Sequence, residues 1–508
     1  YGDVLLNIDK TFGANWSLQA NVGAVISDIR QDAFKNRGPI MESGIANLFN
    51  VFQLDDTRVT REQSGWREQY QSLFASAEIG YKGTYYLTLT GRNDWPSQLA
   101  GPQSVKASFF YPSVGASVVL SQLIPDMPEN LSYVKVRGSW ASVGMPFARF
   151  LANPVYVWDA DNKVWKTETN YPFYDLKPER TDSWEVGLTM RFLKHFNLDV
   201  SYYNTKTYNQ TFDPQISVSS GYSTLYVQTG SVRNRGIELA LGYGNKWGEF
   251  SWSSNFTLSS NQNRILELVD NYRHPETGQF VTKDRLDVGG LNQAHFILKK
   301  GGSLGDLYSI IDLKRDANGH IYVDENDRIY TVSENLDDIR LGSVFPKANM
   351  AWRNDFRWKN LSFGFMVSAR IGGIVYSATQ AQLDYYGVSE DSAAARDAGG
   401  VAVNGGSLLP AYNWYEVVGG KNIPQYYTYS ATNVRLQEAS IGYTIPRKWL
   451  RNVCEITVSV VGRNLWMIYN KAPFDPESIA TTGNYYQGVD YFMMPSLRNV
   501  GFNLRLKF

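Results

Sequence analysis

Val500, Phe502, Leu504, Leu506 and Phe508 are apolar, while Gly501, Asn503, Arg505 and Lys507 between them are small, polar or charged. Successive side chains of a strand point to opposite faces. This stretch therefore reads as a strand with one apolar and one wet side. The alternation runs to the last residue, so the strand needs a partner along its outer edge. In a barrel that partner is the first strand, and a terminal aromatic sits at the lipid–water boundary.

Length sharpens the choice. At 508 residues the chain exceeds the roughly 250–300 residues at which a single soluble core stops growing. No Pro/Ser-rich linker separates it into halves. A large barrel escapes the limit because it grows around a lumen. Aromatics make up 14% of the chain, with 33 Tyr and 43 Gly, which suits strands, turns and interfacial girdles. Formal net charge is zero, so nothing points to nucleic acid. No run of about 18 apolar residues exists, which excludes a membrane-spanning helix but not a barrel strand of about 9–11 residues. Cys454 has no cysteine partner in the chain and reads as a small buried or lipid-facing hydrophobe. The chain starts at Tyr1 and runs directly into strand-like sequence; it is expected to be a fragment or a processed product.

Fifteen strand-like segments can be marked, near 4–12, 16–29, 67–82, 84–94, 108–121, 131–144, 180–193, 196–210, 224–245, 250–263, 344–358, 361–376, 433–446, 454–466 and 495–508. In one, Trp184, Val186, Leu188, Met190 and Phe192 oppose Glu185, Gly187, Thr189 and Arg191. Short connections (13–15, 82–83, 194–195, 245–249, 359–360, 446–453) alternate with long ones (30–66, 145–179, 264–343, 377–432, 467–494). Short turns at one end and long loops at the other describe an outer-membrane barrel. If the long loops are extracellular, the first and the fifteenth strands both run toward the periplasm. Bacterial single-chain barrels have even strand numbers, so an odd number of further strands is expected ahead of this chain.

Several of these segments carry a more specific pattern. They are YLTLTGRNDWPSQL (86–99), FYPSVGASVVLS (110–121), VKVRGSWASVG (134–144), LKPERTDSWEVGL (176–188), SVRNRGIELALG (231–242), NVRLQEASIGYTIPRKWL (433–450), VSVVGRNLW (458–466), DPES (475–478) and the final strand. Together and in this order they resemble the SusC/RagA-type TonB-dependent outer-membrane transporters of Bacteroidetes. One departure is Arg92-Asn93-Asp94-Trp95-Pro96-Ser97, where the family has an Arg-Asp-Gly-Ser-Ser-like turn. The resemblance implies a barrel of about 22 strands closed by an amino-terminal plug. It also implies a Ton box pulled by the TonB complex and a SusD-like surface lipoprotein as a lid. Residues 1–508 would then be the carboxy-terminal part of the barrel, with the plug and the first strands absent from this chain. The implied cargo is an oligosaccharide or a peptide.

The residues themselves offer little catalysis. The histidines are His195, His274, His295 and His320, and no HExxH, GxSxG or Gly-rich phosphate loop accompanies them. The chain is not read as an enzyme, and no cofactor is required. The segment 316–327 resembles a shortened calcium loop, with Asp316, Asn318, Asp324 and Asp327 as oxygen donors around Gly319; the simpler reading is a solvated polar turn. Aromatic clusters in long loops are the binding candidates, because aromatic faces stack on sugar rings. They are Trp158 with Trp165, Tyr385 with Tyr386, Trp414 with Tyr415, and Tyr485 with Tyr486; the plainer alternative is that they pack the loops. Trp184, Trp252, Trp352, Trp358, Trp449 and Trp466 near strand ends read as girdle residues. Arg191, Arg370 and Arg505 are expected to face the lumen.

The expected fold is all-β: an antiparallel transmembrane barrel of about fifteen strands in this chain, embedded in outer-membrane lipid. The expected function is energised import of a bulky nutrient across the outer membrane. A passive porin-like channel and a soluble multidomain glycan-binding or adhesin protein are the alternatives.

Overall fold

A computed structural model shows one fifteen-stranded antiparallel sheet in which every strand pairs with its sequence neighbours. The structure describes all residues except 102–103, 105, 125–126, 152–155, 167–175, 213–226, 274–278, 335–337, 482 and 484–485. The wall strands are β1 (Gly2–Phe12), β2 (Trp16–Arg37), β3 (Thr60–Tyr81), β4 (Tyr85–Pro96), β5 (Phe109–Val119), β6 (Leu131–Met145), β7 (Glu179–Phe192) and β8 (Phe196–Phe212). They continue with β9 (Val227–Trp247), β10 (Phe250–Glu267), β11 (Ala348–Trp358), β12 (Leu361–Ile371), β13 (Asn433–Ile445), β14 (Glu455–Asn470) and β15 (Asn499–Lys507). Each corresponds to one segment marked in the sequence. β1 and β15 are the two ends of the sheet and do not pair with each other.

Register confirms which residues share a face. Leu504 lies opposite Val458, which lies opposite Tyr443; Arg505 lies opposite Thr457. One face of the wall is therefore apolar and the other polar, as the alternation requires. Rings form an unbroken belt on the apolar face near the short turns. Phe192 meets Phe196 at 5.2 Å, Phe196 meets Tyr243 at 4.9 Å, and Tyr243 meets Trp252 at 4.9 Å. Trp252 then stacks on Phe356 at 6.0 Å, and Phe356 on Phe363 at 6.2 Å. This belt crosses six strands and is the girdle expected at one membrane boundary. Two indoles on this face bond to the sheet: Trp252 Nε1 donates to Asn354 Oδ1 (3.0 Å) and Trp352 Nε1 to Ser254 Oγ (2.9 Å).

The short turns are built for tightness. Lys82 and Gly83 both have positive φ (52° and 61°), the signature of a two-residue hairpin turn. The opposite strand ends differ from the sequence reading. β2 continues to Arg37 and β3 begins at Thr60, giving 22 paired residues each. At about 3.3 Å per residue the hairpin is about 70 Å long, far more than a bilayer needs. Above the membrane both faces are polar, so the alternation that marks a strand fades from the sequence there. In the other direction, the segment read as 361–376 stops as a wall strand at Ile371. Gly372 and Gly373 (φ 78° and 84°) break it, and Ile374–Ser377 turns off into a different sheet.

A folded body above the lumen and the site it carries

Three long connections do not behave as loops. Described residues of the connections 268–347, 372–432 and 471–498 share one apolar core, while Leu268, Leu286, Leu298 and Leu304 of the first pack with Val232 and Ile265 of the wall in a second. Phe296, Leu307, Tyr376, Trp414, Tyr427 and Val489 are all buried in the shared core. The first connection supplies a four-stranded antiparallel sheet, in the order Arg285–Leu291, Ala294–Lys299, Asp306–Ser309 and Ile339–Ser343. The other two share a sheet: Ile374–Ser377 pairs antiparallel with Thr428–Ser430 and parallel with Val489–Asp490. Ser377 Oγ donates to Asp490 Oδ2 at 2.5 Å. The second connection adds helices α1 (Ala378–Tyr385), α2 (Glu390–Asp397) and α3 (Ala411–Val418). Ser377 and Ser389 cap α1 and α2 by accepting from the amides of Gln380 and Ser392, which satisfies donors a helix start leaves open.

A buried ion pair ties this body to the wall. Arg435 on β13 is 5% exposed and Asp475 9%. Arg435 Nη2 donates to Asp475 Oδ1 (2.8 Å), Nη1 to Oδ2 (3.1 Å), and Nη2 also lies 2.9 Å from Glu477 Oε2. Its Nε donates to Asn433 Oδ1 at 3.2 Å. The fork-to-fork geometry is the strong, orientation-specific form of such a pair. Burial pushes the Asp475 carboxyl up, but Arg435 and the Glu477 amide outweigh it and hold the carboxyl below its usual range. Two of the sequence motifs, NVRLQEASIGY and DPES, are thus halves of one interaction.

Other motifs meet in the same way. Arg92 of GRNDWPSQL donates to Asp94 Oδ1 (2.7 Å) and Ser72 Oγ (2.8 Å), and Tyr111 of FYPSVG donates to Asp94. On the lumenal face, Arg137 of VKVRGSW donates to Asp199 (3.0 and 3.1 Å) and Thr189 (3.0 Å). Glu438 accepts from Arg353 (3.3 Å) and from Arg463 of VSVVGRNLW (3.1 Å). None of Arg137, Arg435, Glu438 or Arg463 was singled out from the sequence as a site. Their signal was present: each is a charge inside an otherwise alternating strand.

The predicted site residues separate into distinct groups. Trp158 and Trp165 stack edge-to-face at 5.3 Å on a small hairpin (Val157–Asp159 with Val164–Lys166), and Trp165 is 67% exposed. Asp161 of that hairpin pairs with Arg37 at the top of β2. Trp414 is 8% exposed and packs against Tyr426, so its ring serves the core of the loop body and not a surface. Tyr415 packs against the same core. Tyr385 and Tyr386 meet at 4.9 Å at the end of α1 and are exposed, while Tyr486 meets Phe296 at 6.1 Å. Tyr485 and His274 lie outside the described residues. Among the described residues, no ring contact links one cluster to another.

Arg191 lies over the Tyr133 ring at 5.5 Å, and Arg370 donates to the Val344 carbonyl at 2.8 Å, which links the wall to the first connection. Arg505 sits on the polar face of β15.

The calcium-like segment has a different local logic. Asp316 Oδ1 accepts from the amides of Asn318 (2.8 Å) and His320 (2.9 Å); Asp324 Oδ1 accepts from Asn326 and Arg328 (both 2.9 Å). Asp324 Oδ2 accepts from Tyr330 Oη at 2.7 Å. Asp327 sits at the positive-φ position (57°) matching Gly319 (83°). The segment is a tandem repeat: Asp316, Asn318, Ile321 and Tyr322 recur as Asp324, Asn326, Ile329 and Tyr330. Each Asp closes one tight turn, and among the described residues no three His, Cys, Asp or Glu converge as metal ligands. Asn404 holds the repeat by bonding both to the Ile321 amide (2.8 Å) and to its carbonyl (2.7 Å).

Two ionic contacts stiffen the four-stranded sheet. Asp338 accepts two bonds from Arg285 (2.6 and 2.7 Å) and lies 2.9 Å from Lys299. Arg285 above all holds this carboxyl down at about 2. His295 Nδ1 lies 2.9 Å from Asp287 Oδ2, and that contact raises the imidazole's affinity for a proton against the opposing effect of burial. A raised histidine stabilises most below its unfolded value of about 6.5 and loses the effect as pH rises through the folded value. Amide exchange of Ala294–Lys299 is therefore expected to accelerate as pH rises above about 6.5, beyond the intrinsic pH effect. In His295→Gln that extra acceleration should be absent; an unchanged profile would remove His295 from this role.

Comparison with known proteins agrees with this architecture. The family model described as TonB dependent receptor-like, beta-barrel matches residues 1–465. The chain belongs to this TonB-dependent receptor family. Such a barrel resides in the outer membrane, and its relatives are receptors, not enzymes. TonB-dependent receptor P3 of Formosa agariphila is 24% identical over 99% of the chain and 52% of the relative. TonB-dependent receptor P26 of the same organism is 26% identical over 99% and 52%. The chain thus spans about half the length of the curated relatives it matches. Among solved structures, the RagAB peptide transporter aligns with a TM-score of 0.74 at 16% identity, covering 100% of this chain and 55% of that one. The RagAB peptide importer in its 'open-open' state gives 0.75 at 17% identity, covering 100% and 54%. At these identities the likeness shows the fold of the TonB-dependent receptor barrel.

Proposed function

We propose that this chain is the carboxy-terminal wall and extracellular body of an energised importer for a bulky nutrient, an oligosaccharide or a peptide. One observation carries the reading: three extracellular connections form a single folded body, fastened to the wall by the buried Arg435–Asp475–Glu477 cluster. A simple diffusion channel gains nothing from that investment in ordered chain. An importer that must hold cargo above a closed lumen needs a fixed frame there. The charged lumenal clusters around Arg137 and around Glu438 suit a docked plug, whose polar surface would satisfy them. In this reading the plug and the Ton box engaged by the TonB complex lie outside this chain, and a SusD-like lipoprotein acts as lid. RagAB's own description as a peptide importer keeps peptide beside glycan as cargo class.

The exposed Trp158–Trp165 pair is the best cargo contact in the described residues. Stacking is worth about 0.5–1.5 kcal/mol per aromatic contact. Replacing both tryptophans by alanine is expected to weaken cargo binding by about tenfold or more, with the barrel intact by heat-modifiable gel migration. Uptake of labelled oligosaccharides and peptides by cells, with and without TonB, tests the whole reading. Uptake that persists without TonB would establish a passive channel instead.

A further inference from the structure

One large cavity among the described residues lies on the outside of the barrel. It is a groove of about 970 Å³ across β1 to β4. Its floor is set by register. Ala24 on β2 lies directly between Val4 on β1 and Leu73 on β3, so the small side chain leaves a dip between two larger ones. One step higher, Ile26 is aligned with Gln71, which is aligned with Trp95 on β4. All belong to the apolar face of the wall. Ala100 and Ala107, from the connection after β4, also line the groove.

The height of the groove is written in the same strands. Along the outer face of β2, Val22, Ala24 and Ile26 are followed by Asp28, Arg30 and Asp32. On β3 the matching residues pass from Leu73 through Gln71 and Gln69 to Arg67. Arg67 forms a bidentate pair with Asp28 (2.6 and 3.0 Å). This switch from apolar to charged marks the extracellular edge of the bilayer, and the groove straddles it. Its lower part is therefore in the outer leaflet and its upper part among headgroups.

The polar lining on this face includes Gln69, Gln71 and Ser97; Asp3, the one charged residue at the groove among those described, alternates with Val4 and so falls on the other face of β1. Ser97 Oγ accepts from the Gln69 amide (3.1 Å) and keeps its own proton to donate. Trp95 is half-exposed and, unlike Trp252 and Trp352, its indole N–H has no acceptor among the described residues. An indole at a membrane boundary seeks such a partner. The nearby guanidinium of Arg67 is committed to Asp28, Gln69 Nε2 also donates to Asp28 (3.2 Å) and Gln71 Nε2 to Gln69 Oε1 (3.0 Å), so the headgroup side offers the Gln71 carbonyl oxygen, the Ser97 hydroxyl and the Trp95 indole, which match sugar hydroxyls better than phosphate.

We propose that this groove binds a glycolipid of the outer leaflet, one acyl chain on the Val4–Ala24–Leu73 floor and the sugar headgroup against Gln71, Ser97 and Trp95. The test uses the native polypeptide purified from outer membranes in mild detergent, with dephosphorylated lipid A and a phospholipid as competing probes in native mass spectrometry. Dephosphorylated lipid A is expected to be retained at least about tenfold better than phospholipid. Ala24→Trp fills the floor and should lose that retention by about tenfold or more, and Gln71→Leu should lower the preference for dephosphorylated lipid A over phospholipid. If Ala24→Trp fails to give a heat-modifiable barrel, Leu73→Asn, which keeps the branched shape and removes the apolar floor, takes its place with the same expected loss. Equal retention of the two probes, or undiminished retention by the floor variants, would overturn the assignment.

Discussion

Arg435→Met is expected to free the body above the lumen from the wall. The change leaves Asp475 and Glu477 without their cation, and one of these carboxylates is almost fully buried. Removing one partner of a buried pair costs about 3–5 kcal/mol, because the remaining charge is uncompensated. Limited proteolysis of intact cells should cut within residues 471–498 in the variant and not in the parent. The double variant Arg435→Met with Asp475→Leu should recover part of the resistance, since it also removes a stranded charge. Equal protease resistance of parent and single variant would show that the pair is not what fastens the body. The pH dependence has a definite sign. Asp475 titrates below its usual range in the folded state, so its contribution is present above the unfolded value of about 4 and fades as pH falls through the folded value. Acid should therefore mimic the variant, and neutral or alkaline pH should not.

Val460→Arg and Ser459→Arg, adjacent on β14, are expected to differ sharply. Val460 shares its face with Ile441 and Phe502, and Ser459 shares its face with Gly442 and Asn503. Arginine near the middle of the lipid face of a barrel costs about 2–4 kcal/mol, while lumenal positions tolerate it. Folding into lipid vesicles followed by denaturant titration should show a large loss for Val460→Arg and a small change for Ser459→Arg. Similar losses at both positions would mean that β14 does not separate lipid from lumen. This pair of substitutions tests the face assignment on which the outer groove also depends.

These two predictions draw on different kinds of information. The face assignment at Val460 and Ser459 was legible in the residues alone, because strand alternation is a local, one-residue-at-a-time pattern. The same is true of the fifteen strands and of the contrast between tight turns such as Lys82–Gly83 and long connections. Where both faces are wet, as in Asp28 to Arg37, the pattern disappears and the strand end was read too early. The site was less legible. Trp158 and Trp165 form an exposed pair, yet Trp414, of the same residue type in a similar loop, is buried. Nothing within a few residues of Trp414 distinguishes it; the contacts that bury it come from residues scattered between Ala294 and Val489.

Residue order by itself determined a membrane barrel with an apolar outer face, short turns on one side and long connections on the other. Those are the properties that a period of two and a few turn residues can specify. Only the tertiary structure decided that three of the long connections make one body. It also decided that Asp316 and Asp324 close turns, that Arg435 meets Asp475 across 40 residues, and that Ala24 sits in a dip between Val4 and Leu73. Each of these depends on which distant segments share a volume or a register, and no local pattern of residues records that.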